Sequence, residues 1–275
     1  MSHCVHCSIL TAGTRPLMSS LSLPILGDVS DLPQPPQLLV SVRTPQEAID
    51  ALNGGAGILD IKEPSHGPLG MAGLVEIYQI CVAARSASPV AISAALGEVL
   101  DWQRAPMPSL PPHLQYAKLG LAGLARERHW RELWRQVRSE FDVLRGKELD
   151  WVAVAYADAD RASSPTVREV LTAAIKDGCR ALLIDTFDKS SGRLVDLIPV
   201  TELRALVSDA HAHQLAVAFA GRVEAGDLPQ LLPCRPDVIA VRGAACEAGN
   251  RQSTITTTAV ANLVGEIGRL SHTMT

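Results

Sequence analysis

Asp60 and Lys62 stand two residues apart in Gly57-Ile58-Leu59-Asp60-Ile61-Lys62-Glu63-Pro64, an apolar run that ends in a Pro- and Gly-bearing loop. Side chains alternate across a strand, so the two share a face. An amine beside a carboxylate at the open end of a strand is equipped to form an imine with a carbonyl compound. Of the 25 basic residues, only five are lysine: Lys62, Lys118, Lys147, Lys176 and Lys189. Arginine stays protonated and is a poor nucleophile, whereas a lysine loses its proton once its pKa is depressed. In an arginine-rich chain a retained lysine therefore marks a place where arginine would not serve. Lys147 and Lys176 lie in polar helix-end sequence and read as surface charge. Lys62, Lys118 and Lys189 each follow an apolar, strand-like run. Ion pairing without chemistry is the plainer alternative for any one of them.

The segments that must position these groups alternate in type. Strands are expected at 38–42, 57–61, 90–95, 115–120, 151–156, 181–185, 215–220 and 237–242. Helices are expected between them at 45–53, 72–85, 126–144, 164–176, 201–211, 225–232 and 257–270. Thr44 and Pro45 supply an N-cap and a first-turn proline, and Gly54 a stop. Eight near-continuously apolar strands alternating with helices imply an α/β fold, a (β/α)8 TIM barrel, over residues 37–275. A doubly wound sheet is the runner-up, but no Gly-x-Gly-x-x-Gly follows the first strand. Residues 1–36, rich in Ser and Pro, read as a flexible leader, and Met18 is a second possible start.

Barrel chemistry sits at the C-terminal ends of the strands. Those positions hold Asp60, Lys62, Lys118, Asp158, Asp185, Lys189 and Arg242. Crowded ionisable groups shift one another's pKa, and a neighbouring ammonium with partial burial brings a lysine towards neutrality. Asp185 is close enough to Lys189 in sequence to position it or to shuttle protons. After the seventh and eighth strands come Gly221-Arg222 and Arg242-Gly243-Ala244, where this fold usually cradles phosphate with backbone N–H groups. Imine or enamine chemistry on small phosphorylated aldehydes or ketones is the expectation.

The totals limit the alternatives. A net charge of −4 disfavours nucleic acid and anionic membranes as partners. No apolar run reaches the roughly 18–20 residues of a membrane span, and no secretory signal pattern opens the chain. A cytoplasmic location is expected, as is association into a homo-oligomer. His3-Cys4-Val5-His6-Cys7 has half of a zinc pattern, without a second pair at a fitting distance. No metal and no cofactor are expected.

Six segments, read in order, carry a family resemblance: Asp60-Ile61-Lys62-Glu63-Pro64, Gly67-Pro68-Leu69-Gly70, Ala117-Lys118-Leu119-Gly120-Leu121, Tyr156-Ala157-Asp158-Ala159, Leu183-Ile184-Asp185-Thr186 and Val241-Arg242-Gly243-Ala244-Ala245-Cys246. From about Leu38 to Leu270 the chain resembles (5-formylfuran-3-yl)methyl phosphate synthase, also called 4-(hydroxymethyl)-2-furancarboxaldehyde-phosphate synthase, of methanofuran biosynthesis. The resemblance implies that two molecules of glyceraldehyde 3-phosphate are joined into a phosphorylated furan aldehyde. It maps the Schiff-base lysine onto Lys62, a proton-transfer lysine onto Lys118 and a further catalytic pair onto Asp185 and Lys189. The leader and the Pro-rich connection at 106–112 depart from compact members of the family. The arginine-rich composition suggests a bacterial member whose furan would feed a methanofuran-like carrier of one-carbon oxidation. A class I aldolase acting on sugar phosphates, or a silent barrel that binds a phosphorylated metabolite, would present many of the same residues.

Overall fold

The eight apolar runs pair in chain order and close on themselves. In the computed structural model, which describes residues 34–273, the strands are β1 (Gln37–Val42), β2 (Ile58–Ile61), β3 (Ala91–Glu98), β4 (Tyr116–Gly120), β5 (Asp150–Tyr156), β6 (Ala181–Asp185), β7 (Ala216–Phe219) and β8 (Val238–Val241). All neighbours are parallel, and β8 pairs with β1 to complete the barrel. The Cys/His cluster at positions 3–7 and nearly all of the expected leader lie outside the described residues.

Strand alternation sorts the core into two parts. Val40, Leu59, Ile61, Ile92, Ala117, Leu119, Ala153, Leu182, Ile184, Val217 and Ile239 pack outward beneath the helices. A separate inner cluster holds Leu39, Ile58, Ala91, Ala95, Val154, Tyr156, Leu183, Ala218, Ala220, Val238 and Ala240. The alanines matter most here. Small side chains towards the top of the barrel leave room for the long lysine stems that share this face.

The connecting helices are α1 (Pro45–Asn53), α2 (Leu74–Ala87), α3 (Trp130–Arg145), α4 (Ala159–Ala162), α5 (Val167–Lys176), α6 (Leu194–Leu197), α7 (Val200–Ala212), α8 (Leu228–Leu231) and α9 (Thr257–His272). Thr44 Oγ1 accepts from Glu47 N–H at 3.1 Å and fixes the start of α1. Thr166 and Glu169 form a reciprocal capping box, so α5 begins after Pro165 rather than at Ser164. The helix expected from Arg126 begins only at Trp130. Before it, Ala125 N–H donates to Ser163 O and Leu124 N–H to Leu121 O, which spends those residues on turns. The 225–232 segment is split by Pro229 and Pro233 into a 3-10 turn, α8 and a second 3-10 turn.

β3 departs most from expectation. Its sequence reads as ending at Ala95, yet it continues to Glu98, with a register shift against β4 between Ala95 and Glu98. Such a bulge breaks the alternation and re-aims the side chains beyond it. Outside β4 and β5, Phe141 of α3 meets Trp102 edge-on at 5.0 Å and Trp151 at 6.3 Å. Phe141 is fully buried, so Phe141→Ala should lower unfolding free energy by about 3–5 kcal/mol. Urea denaturation measures this, and a loss below about 1 kcal/mol would show that the cluster is not part of the supporting core.

Candidate active site

Asp60 faces inward from β2, in register with Ser41 of β1 and Ser93 of β3. Lys118 faces inward from β4, in register with Ala95 and Val152. Both are almost fully buried and form an ion pair, Nζ to Oδ1 at 2.5 Å. Oδ1 has no well-aligned hydrogen-bond donor, so the contact is chiefly electrostatic. Ser41 Oγ donates to Asp60 Oδ2 at 3.3 Å. The barrel thus holds the Lys118 ammonium by a single buried counter-charge.

A second pair joins the end of β6 to the loop that follows it. Lys189 Nζ donates to Asp185 Oδ1 at 2.6 Å, to Thr186 Oγ1 at 3.1 Å and to the Thr186 carbonyl. Burial pushes the Asp185 carboxyl up. The ammonium groups of Lys189 and Lys62, together with the hydrogen bonds from Lys189 and Thr186 N–H, outweigh this and hold it below the usual carboxylate range. The loop that brings Lys189 back over Asp185 is pinned by Asp158. That carboxylate accepts from Phe187 N–H at 2.6 Å, Asp188 N–H at 2.8 Å and Ser191 Oγ at 3.2 Å. Asp158 therefore positions the mouth instead of lining it as a free charge.

Lys62 follows β2, its N–H bonded to Val42 O at 3.2 Å. Its amine is in no ion pair among the described residues. Loss of water lowers its pKa from 10.5 to about 8. Asp185 and Asp60 oppose the shift, while Lys189 and Lys118 add to it. Burial is thus the larger cause and the neighbouring ammoniums the smaller. At pH 7 roughly a tenth of such an amine is unprotonated, against fewer than about one in a thousand at an ordinary lysine pKa. Lys62, Asp60, Lys118, Asp185 and Lys189 are all brought within electrostatic reach of one another, with Lys62 the unpaired member.

The expected phosphate residues divide. Gly221 has φ +88°, and a Cβ there would stand 2.8 Å from Thr186 Cγ2 and 3.2 Å from Thr186 N, so glycine lets the β7 loop close on the β6 loop. Arg222 donates from Nη1 to Lys189 O at 2.9 Å. The N–H groups of Gly221, Arg222, Gly243 and Ala244 meet no acceptor among the described residues. Arg242 is different. Its buried guanidinium is bidentate to Glu47 at 3.0 and 3.1 Å and also reaches Ser41 O at 2.9 Å, Arg251 O at 2.9 Å and Ser253 O at 3.4 Å. Its donors are consumed by the protein, so Arg242 is a buttress and not the anion ligand expected of it.

Glu98 at the mouth escapes a reading by strand ends alone, and its partner is Tyr156 at the end of β5. Tyr156, fully buried and in register with Asp185, donates its hydroxyl to Glu98 Oε1 at 2.6 Å. Glu98 Oε2 accepts from Ala122 N–H at 2.8 Å. A Cβ at position 120 would lie only 2.1 Å from Oε2, so Gly120 makes the space this carboxylate occupies. Burial raises the Glu98 pKa against those hydrogen bonds, and burial next to Glu98 pushes the Tyr156 phenol well above 10. The β3 bulge is what turns Glu98 over β4, and no alternation rule signals it. No group of three or more His, Cys, Asp or Glu able to hold a metal occurs among the described residues. Nor is any described helix long and apolar enough to cross a membrane.

A family model described as 4-HFC-P synthase matches residues 38–264. The curated (5-formylfuran-3-yl)methyl phosphate synthase of Methanopyrus kandleri is 34% identical over 223 residues, covering 78% of this chain and 92% of that protein. Its namesake in Methanobrevibacter smithii is 31% identical over 232 residues, covering 82% and 96%. Among solved structures, (S)-3-O-geranylgeranylglyceryl phosphate synthase from Thermoplasma acidophilum matches with a TM-score of 0.57 at 12% identity, over 85% of this chain and 92% of that one. Thiamine phosphate pyrophosphorylase from Pyrococcus furiosus matches with a TM-score of 0.55 at 16% identity, over 86% and 96%. At these identities the structural likenesses establish the barrel alone.

The Lys62 shift has a sign that can be checked. Between about 8 and 10.5 the unfolded chain binds the proton that the folded chain has released, so this group makes stability rise with pH across that window. Lys62→Met lacks the contribution. The stability difference between wild type and variant, measured by chemical denaturation at pH 8 and pH 10, should therefore shift in favour of the wild type. An unchanged difference would mean that Lys62 titrates as an ordinary exposed lysine.

Proposed function

This chain belongs to the 4-HFC-P synthase family, and we propose that it condenses two molecules of glyceraldehyde 3-phosphate into (5-formylfuran-3-yl)methyl phosphate through an imine on Lys62. The observation that carries the reading is the unpaired Lys62 amine, with a pKa near 8, set between the Lys118–Asp60 and Lys189–Asp185 pairs. The neutral amine adds to the carbonyl of one triose phosphate, and the carbinolamine loses water to give the imine. Loss of the proton next to the imine carbon leaves an enamine, whose carbon attacks the aldehyde of the second molecule.

The flanking pairs supply the proton transfers. Asp185, held ionised by its neighbours, is suited to accept a proton, and Lys189, bonded to it at 2.6 Å, to return one. Lys118 presents a buried ammonium towards a developing alkoxide or leaving oxygen. Two three-carbon phosphates, less one phosphate and two waters, give the six-carbon furan, and the water released on imine formation is returned when Lys62 is freed. No oxidant or reductant enters the balance. The product suits a methanofuran-type cofactor.

Borohydride reduction in the presence of glyceraldehyde 3-phosphate, followed by peptide mass mapping, tests the assignment. A reduced adduct on Lys62 is expected, and Lys62→Ala should lose turnover by several orders of magnitude while keeping its thermal transition. An adduct on Lys118 or Lys189 instead, or retained turnover in Lys62→Ala, would refute the role of Lys62. Release of a linear aldol without inorganic phosphate would identify an aldolase.

A further inference from the structure

The loop after β8 folds back over the barrel mouth. A 3-10 turn at Gly243–Ala245 leads into a short antiparallel pairing of Cys246 with Ile255, reinforced by Glu247 N–H to Thr254 O and Thr256 N–H to Ala245 O, each at 3.0 Å. Arg242 grips the returning segment through the carbonyls of Arg251 and Ser253. Arg251 is thereby laid on Gly243: a Cβ at 243 would stand 3.7 Å from Arg251 Cβ and 3.9 Å from Arg251 N.

The Arg251 guanidinium is the unusual group here. Arg43 is paired with Glu63, Arg193 with Asp227 and Arg242 with Glu47. Arg251 is half-buried, yet among the described residues its side chain meets no carboxylate, carbonyl or ring. Burial draws its pKa down. Asp185 is the carboxylate that acts on it most, and Arg242 and Arg222 repel it. Asp185 lies on β6, so this charge is felt across the top of β7 and β8. A partly desolvated guanidinium left unpaired is costly, and an anion that bonds to its planar fork removes the cost. Beside it, the N–H groups of Gly243 and Ala244 are unused.

We propose that Arg251, with the N–H groups of Gly243 and Ala244, binds the phosphate of a triose phosphate substrate, and that Arg242 is the residue that positions it. The substrate class rests on the reading given under Proposed function, whereas the phosphate site rests on the loop geometry. A reaction that takes up two phosphorylated molecules needs two anion sites. The mouth offers two separate pairs of unused N–H groups, after β7 and after β8, and Arg251 serves the second.

Calorimetric titration of the full chain with glycerol 3-phosphate, which has no carbonyl and forms no imine, tests the site apart from the chemistry. Wild type and Lys62→Ala should bind with comparable affinity. Arg251→Ala should weaken binding about tenfold or more, and Arg251→Lys should recover part of it. In turnover, Arg251→Ala should raise KM for glyceraldehyde 3-phosphate far more than it lowers kcat. Borohydride trapping of unphosphorylated glyceraldehyde on Lys62 should be unaffected, an outcome that loop collapse would not give.

Unchanged affinity in Arg251→Ala overturns the proposal. So does loss of inorganic phosphate binding alone, with glycerol 3-phosphate binding intact. If Arg251→Ala loses affinity and no imine forms in the wild type, the phosphate site stands and the synthase chemistry falls. Imine formation with unchanged phosphate affinity means the reverse.

Discussion

Three lysines share the barrel mouth with two aspartates, and this mismatch is what the rest of the structure sustains. Lys118 is matched by Asp60 at 2.5 Å and Lys189 by Asp185 at 2.6 Å. The remaining amine, Lys62, has no carboxylate of its own and too little water to hold its charge easily. Burial alone would drive it further, but Asp185 and Asp60 pull it back, leaving a value near 8. A lower pKa would give a more abundant but less basic amine, and a higher one too little free amine. Burial thus sets the direction of the Lys62 shift, and the two ion pairs moderate its size. The near-complete burial of Asp60, Lys118 and Asp185 keeps the mutual fields strong.

Around that centre lies an outer set of polar contacts whose work is geometric. Asp158 ties the β5 and β6 loops together through two backbone N–H groups and Ser191. Gly221 lets the β7 loop approach Thr186. Arg242 joins β8 to β1 and α1 through Ser41 O and Glu47, then reaches forward to the loop bearing Arg251. Glu98 joins β3 to β4 and β5 through Ala122 and Tyr156. Each contact crosses between neighbouring strand ends, where the barrel's own ladder bonds have run out. Loops would otherwise be free to move there, and a chemical site built on them would lose its spacing.

The barrel and its inner charges were legible because they obey periodic rules. Eight apolar runs at helix-separated spacing imply the closed parallel sheet, and alternation places Asp60, Lys118 and Asp185 on the inner face. What escaped obeys no period. Glu98 lies beyond a bulge, where the register of β3 shifts against β4. Arg242 and Arg251 are nine residues apart in one loop, and charge type alone cannot distinguish them. Only the fold shows that the first is spent on Glu47 and three carbonyls while the second is left unpaired. Glu47 gives no hint either, since in sequence it reads as a first-turn acid of α1, a place where acids are common for reasons unconnected with a site.

This division of arginines has a physical logic. An arginine at the end of a barrel strand is close to neighbouring backbone carbonyls, and a guanidinium has enough donors to bond several of them at once. Once so bonded, it is rigid and electrically occupied, which suits a support and disqualifies a ligand. A residue further out on the loop escapes those carbonyls. Its backbone is held by the Arg242 grip on the Arg251 carbonyl at 2.9 Å. The support holds the main chain of Arg251 and leaves its side chain without a protein partner among the described residues. Near Lys62 the same arrangement recurs in another form: paired charges supply the rigidity, and the unpaired group keeps its capacity to react.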